Sequence, residues 1–187
     1  MEALLPVILA VLMGEMGGKV QGEAEALMRG HGSALAIVLA LGLTSLTVLF
    51  FAAFAGILLA EMMTYQARTL MLGVALLSSA FGLFWRKKDA APVGKRQPFV
   101  TSVWRLISAQ LSDNSGFLVF AFAARTHAPV LAASAGFCGM LLAVIPVLAA
   151  PDDWRADFKV ALLRKIFGFL FLFVGLGCVL TALQLIF

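Results

Sequence analysis

GEMGGKVQ, residues Gly14 to Gln21, sets a carboxylate, a lysine, an amide and two adjacent glycines in the middle of a long apolar segment. A second stretch, AQLSDNSG, residues Ala109 to Gly116, interrupts another apolar segment in the same manner. A charged side chain at the centre of a membrane helix costs roughly 2.5 to 3.5 kcal/mol on insertion scales, so such clusters need a reason to be there.

Around these stretches the chain is overwhelmingly apolar. Of its 187 residues 62% are hydrophobic and 13% charged, and the mean hydropathy is +1.01. These values describe an integral membrane protein, with the lipid bilayer as its surroundings. The length holds about six spans of roughly 20 residues and leaves no room for a soluble catalytic domain, so an enzyme is not expected. The opening residues MEALLPV lack a basic n-region, and the first apolar segment is expected to stay as a span. Cys138 and Cys178 lie in apolar runs without the spacing of a zinc or redox site. The net charge of +4 comes from basic residues at helix ends, which points to membrane orientation rather than to nucleic acid.

Spans are predicted over about 3–28, 33–60, 69–85, 99–124, 130–150 and 166–186. Arg29, Arg86, Lys87, Lys88, Lys95, Arg96, Arg155, Lys159, Arg164 and Lys165 fall on the side of the first, third and fifth connections, against Arg68 and Arg125 on the other. By the positive-inside rule those connections are cytoplasmic and both termini lie outside, the bacterial inner membrane being the expected location.

An internal repeat runs at an offset of 95 residues. Glu15 aligns with Gln110, Gly17 with Ser112, Gly18 with Asp113 and Lys19 with Asn114; Gly73 and Gly82 then align with Gly168 and Gly177. The expected organisation is a first three-helix repeat over 1–85, a basic cytoplasmic loop over 86–98 and a second three-helix repeat over 99–187. Three spans per unit invert the second unit, so the expected fold is an all-α membrane protein of six transmembrane helices in two inverted three-helix repeats. Many secondary transporters use that plan to place a site at the bilayer midplane.

On continuous helices, Glu15, Gly18 and Gly22 would share one face and Gln110, Asp113 and Phe117 the equivalent one. If the halves pack about a pseudo-twofold axis, Glu15 and Asp113 converge. Together with Gln110 and carbonyls loosened by Gly17 and Gly18 they would form an all-oxygen site suited to hard cations. Two carboxylates crowded in a low dielectric repel one another, so protons can replace the metal on them. The competing possibility is that Glu15 and Lys19, at i and i+4, neutralise each other while Asp113 hydrogen-bonds a neighbouring helix. Recurrence of the cluster in both halves favours the site. Glu23 and Glu25 read as a solvated helix end or a lining for ion access, and Arg105 as a side chain that snorkels to the interface. Ala132/Gly136 and Ala135/Gly139 have the spacing of close helix packing.

At these residues the sequence resembles the Gdt family of Ca²⁺ or Mn²⁺/proton antiporters, within the wider LysE-type transporter superfamily. That family carries a duplicated Glu-x-Gly-Asp-(Lys/Arg)-(Thr/Ser) signature in the first and fourth of six spans. Glu15-Met16-Gly17-Gly18-Lys19-Val20-Gln21 matches the first copy at Glu, Gly, Lys and the Gln that commonly follows. Gln110-Leu111-Ser112-Asp113-Asn114-Ser115 matches the second at Asp and Ser. The resemblance implies a cation site formed by the paired motifs, with no resident cofactor and with transported Mn²⁺ or Ca²⁺ as the bound metal. The motifs depart from the family at Gly18 and Gln110, which stand where it has acids, so four carboxylates become two.

The expected function is exchange of a divalent cation, Mn²⁺ or Ca²⁺, for protons. Glu15, Asp113 and Gln110 would hold the metal; Gln21, Asn114 and Ser115 would add neutral oxygens; Gly17, Gly18, Lys19 and Ser112 would shape the motif backbone. The alternatives are a monovalent or small organic cation on the same fold, or a non-transporting subunit paired with a complete homologue. A homodimer is the other expected assembly.

Overall fold

The computed structural model describes residues 4–31, 34–85, 98–150 and 159–185, and these form helices joined by short turns. The helices are α1 (Leu4–Glu15), α2 (Lys19–His31), α3 (Ala34–Ala60), α4 (Tyr65–Phe84), α5 (Phe99–Leu111), α6 (Ser115–Thr126), α7 (Pro129–Ala149) and α8 (Val160–Ala182). Most of the basic connection expected over 86–98 and the acidic residues Asp152, Asp153 and Asp157 lie outside the described residues.

Local chemistry sets several of the ends. The Thr64 side chain caps α4 by accepting from Ala67 N at 3.3 Å. His127, at a φ of 54°, closes α6 in the left-handed conformation, and Pro129 opens α7 at a first-turn position where its missing N–H costs no ladder bond. Four helices, α3, α4, α7 and α8, are each long and apolar enough to cross a membrane, and a fifth span results if α1 and α2, bent by 61°, are one broken crossing. Along α3 the buried side is Ile37, Leu41, Thr44, Ser45 and Leu49, whereas Leu35, Leu39, Leu43, Leu46 and Phe50 are exposed. Hydroxyls inside and leucines outside suit a lipid solvent, and the apolar helices mark a membrane protein.

Continuous helices over 3–28 and 99–124 are not what forms. The first expected span breaks at residues 16–18 and the fourth at 112–114, because Gly17 takes a φ of 66° and the Ser-Asp-Asn run turns its polar side chains onto nearby backbone. The shared faces expected for Glu15, Gly18 and Gly22, and for Gln110, Asp113 and Phe117, are lost with them.

The breaks recur in register. Leu4 and Phe99, Ala34 and Pro129, and Tyr65 and Val160 open corresponding helices 95 residues apart, and α2 and α6 follow one residue off that spacing. Packing partners exchange in the same way: α1 lies on α7 as α5 lies on α3, and α2 on α5 as α6 on α1, while α3 meets α7 and α4 meets α8. Glycine permits the closest approaches. A Cβ on Gly73 of α4 would lie 3.0 Å from the Gly175 carbonyl oxygen of α8, and one on Gly139 of α7 2.7 Å from that of Ile8. The small-residue spacing predicted at Ala135/Gly139 therefore serves helix contact.

Gly139→Val forces α1 and α7 apart and is expected to destabilise the protein by about 1 to 3 kcal/mol. Gly42→Ala, where nothing lies within 4 Å, should be neutral or mildly stabilising. Thermal unfolding of the detergent-solubilised variants measures both.

Candidate functional site: the two helix breaks

At the first break α1 stops because Gly17 turns left-handed, and Gly18 N donates to Glu15 O at 2.7 Å. The Gln21 side chain pins the turn from the next helix. Its Oε1 accepts from Gly17 N at 2.7 Å, and its Nε2 donates to the Ala143 carbonyl on α7. At the second break Ser112 N is shared between the carbonyls of Ser108 and Ala109, and Asp113 N donates to Gln110 O at 3.2 Å.

Asp113 joins the two. Its Oδ1 accepts from Asn114 N at the start of α6, and its Oδ2 accepts from Lys19 N at the start of α2, both at 2.9 Å. One carboxylate thus meets the positive ends of two helices from different halves. Glu15, fully buried at the end of α1, turns its side chain to the same spot. A Cβ built on Gly18 would lie 2.8 Å from Glu15 Oε2 and 2.9 Å from Asp113 Oδ2. The two carboxylates, far apart in sequence, are therefore separated by no more than the sum of those distances. Gly18 makes room for them, since any side chain there would push on both.

The remaining predicted residues divide. Gln110, 1% exposed, donates from Nε2 to Ser45 Oγ at 2.7 Å and Thr44 Oγ1 at 3.2 Å. Its Oε1 is buried without a hydrogen-bond partner among the described residues, as is Ser115 Oγ. Asn114 donates from Nδ2 to Ser78 O at 3.2 Å. Gln21 has its oxygen engaged by Gly17 N, so it serves as a pin for the turn. Ser112 Oγ turns back onto Ala109 O at 2.9 Å. Lys19 does not make the i, i+4 contact with Glu15, because the helix is broken between them. Its Nζ reaches the Ser112 carbonyl at 3.4 Å instead.

The carbonyls of the breaks are likewise engaged. Arg164 of α8 donates from Nη1 to Gly17 O at 3.3 Å, from Nε to Leu83 O at 3.2 Å and from Nη2 to Gly82 O at 3.2 Å and Trp85 O at 2.6 Å. It thereby caps the C-terminus of α4 and the first break together. Gly17 and Ser112 are equivalent in the repeat, and each carbonyl is held by a cationic side chain, Arg164 in one case and Lys19 in the other. The carbonyl ligands anticipated for a metal are thus already used. Among the described residues no three His, Cys, Asp or Glu side chains are grouped to hold a metal ion.

Arg164, Thr44 and Ser45 were not singled out by the sequence pattern for this site. The hydroxyl pair in the middle of apolar α3 was a readable signal; Arg164 was hidden among the basic residues that set orientation. Arg105 does not snorkel. Its guanidinium donates from Nε at 2.8 Å and Nη2 at 2.7 Å to Glu23 Oε2, while Glu25 pairs with Arg29 at 3.0 Å.

No family model matches the sequence, and neither a curated protein nor a solved structure shows detectable similarity to it.

Replacing Arg164 by Gln removes charge-assisted bonds to four carbonyls. With part of the side chain exposed, the expected loss is about 1.5 kcal/mol, the low end for bonds to a charged group. Arg164→Lys should not restore it, since an ammonium lacks the planar fork. Thermal unfolding of both variants in detergent provides the check.

Proposed function

We propose that this chain is a six-span secondary transporter, built from two inverted three-helix units, that exchanges a divalent cation, Mn²⁺ or Ca²⁺, for protons by alternating access. In this reading α1–α2 and α5–α6 are each one broken crossing, and α3, α4, α7 and α8 supply the other four. The equivalent helix starts and the exchanged packing partners support two related units, and three crossings in each would invert the second. The distribution of basic residues favours a cytoplasmic central connection and external termini in a bacterial inner membrane.

The observation that carries the proposal is the meeting of Glu15 and Asp113 around Gly18. Helix breaks placed at the centre of a bundle are where transporters bind ions, because only there can irregular backbone survive away from water. Glu15 and Asp113 would bind the cation and take up protons when it leaves. Gln110 Oε1 and Ser115 Oγ, buried acceptors without a protein donor among the described residues, are the neutral oxygens best suited to join them. Lys19, which reaches Ser112 O, would not need to occupy the cation's place. The motif likeness to the Gdt antiporters points to the same substrate class.

One arrangement favours a second reading on the same fold, in which the cargo is a monovalent or small organic cation. Arg164 and Lys19 already engage the break carbonyls, and a third acid is missing from the cluster among the described residues. Such a site neutralises less charge and supplies fewer oxygens than Ca²⁺ usually takes.

Purified protein in liposomes with a lumenal pH dye, challenged with Mn²⁺, Ca²⁺, Na⁺ and K⁺ gradients in turn, separates these readings. Proton flux driven by Mn²⁺ or Ca²⁺ and abolished by Glu15→Gln or Asp113→Asn is the expected result. Flux driven by Na⁺ or K⁺ alone moves the assignment to a monovalent cation, and silence toward all four ions in an intact preparation sinks the antiporter proposal.

A further inference from the structure

Away from the carboxylates, a second charged contact joins the broken spans. Glu23 of α2 and Arg105 of α5 meet through two guanidinium nitrogens, with side chains only 20% and 19% exposed. Both nitrogens converge on one carboxylate oxygen, Glu23 Oε2, in a partly buried charge-assisted contact between two helices. Glu23 follows the first break and Arg105 precedes the second. The pair therefore stands between the carboxylates and the end of the bundle where α2 finishes and α5 begins. That end carries Arg29 and adjoins the basic connection.

The repeat locates the matching contact on the other side. A shift of 95 residues carries Glu23 to Leu118 and Arg105 back to Ala10. Ala10 and Leu118 share one buried apolar cluster with Phe171, and Leu118 Cδ1 lies 3.2 Å from where a Cβ of Gly14 would stand. The crossing of α2 on α5 thus adds an ion pair to buried apolar residues such as Ala24, Leu27 and Leu106, whereas the matching positions at the other end, Ala10 and Leu118, are apolar. An ion pair weakens when water or another ion enters between its partners, whereas an apolar contact excludes both.

Resting on the transporter proposal, we infer that Glu23 and Arg105 are the gate that closes the cation site toward the basic end, and that Ala10 with Leu118 closes it toward the opposite end. Opening at the basic end separates α2 from α5 and exposes the Glu23 carboxylate. Glu23 is then an acid that a cation arriving from that end meets on its way to Glu15 and Asp113. Arg105, its closed-state partner, resists the cation until the pair parts. The unlike chemistry of the two closures makes opening at the basic end sensitive to charge and opening at the other sensitive to side-chain volume.

The test uses a full-length chain with Cys138→Ala, Cys178→Ala and a reporter, Ser115→Cys, beside the site. In liposomes of known orientation it is labelled from each face with a membrane-impermeant methanethiosulfonate. Glu23→Gln and Arg105→Gln should each speed labelling from the basic-end face roughly tenfold, as a shift between two conformations would, and leave the other face unchanged. The reversed pair, Glu23→Arg with Arg105→Glu, should return the slow rate, and Leu118→Ala should speed labelling only from the opposite face. If gel filtration shows a single variant to be unfolded, Glu23→Asp, which keeps the charge and shortens the reach, takes its place. No acceleration, equal acceleration from both faces, or a reversed pair as fast as the singles overturns the gate. Labelling reads access and needs no flux, so a failure of ion-driven flux would count against the transporter proposal separately.

Discussion

The Asp113 carboxylate, accepting backbone N–H bonds from Lys19 and Asn114, is the contact on which the centre of this molecule depends. A broken helix in lipid leaves donors and acceptors that water cannot reach, and each costs several kcal/mol if left unmet. Here the exposed groups of each break are met by side chains from elsewhere. Asp113 serves the start of α2, Lys19 the Ser112 carbonyl, Arg164 the Gly17 carbonyl and Gln21 the Gly17 amide. Three of these contacts cross between the halves, so neither break is complete without the other half.

That mutual dependence makes the meeting point suited to chemistry. Asp113 accepts N–H bonds at the starts of two helices, and Glu15 is brought beside it at the end of α1. A cation between them would relieve the repulsion of two negative charges in a low dielectric, and so would a proton. In the proposed function, this crowding is what would let one replace the other. The lysine and arginine nearby lie on carbonyls, where they balance the negative ends of helices.

Much of the plan was legible in the sequence because it rests on composition and spacing. The apolar spans, the 95-residue register and the polar clusters are properties of residue order, and Leu4, Ala34 and Tyr65 start helices where the register places their counterparts. The breaks were less legible. A glycine pair lowers helix propensity by only about 1 kcal/mol per residue, and whether Gly17 turns left-handed depends on Gln21 and Arg164 to hold it there. Those partners stand four and well over a hundred positions away, so no local pattern announces them. The pairing of Glu23 with Arg105 was hidden for the same reason: each was read on its own helix, and the contact exists only across two. The convergence of Glu15 and Asp113, by contrast, was inferred from the repeat and is present in the geometry.

The proposed function requires these two carboxylates to act as one site for a divalent cation. Mn²⁺ binding to the purified protein, followed by loss of the free-ion electron paramagnetic resonance signal, addresses it directly when Glu15→Gln, Asp113→Asn and the double variant are compared with the unsubstituted chain. A single shared site predicts that either substitution abolishes binding and that the double variant loses nothing further. Mn²⁺ binding that survives undiminished in the double variant would contradict the account.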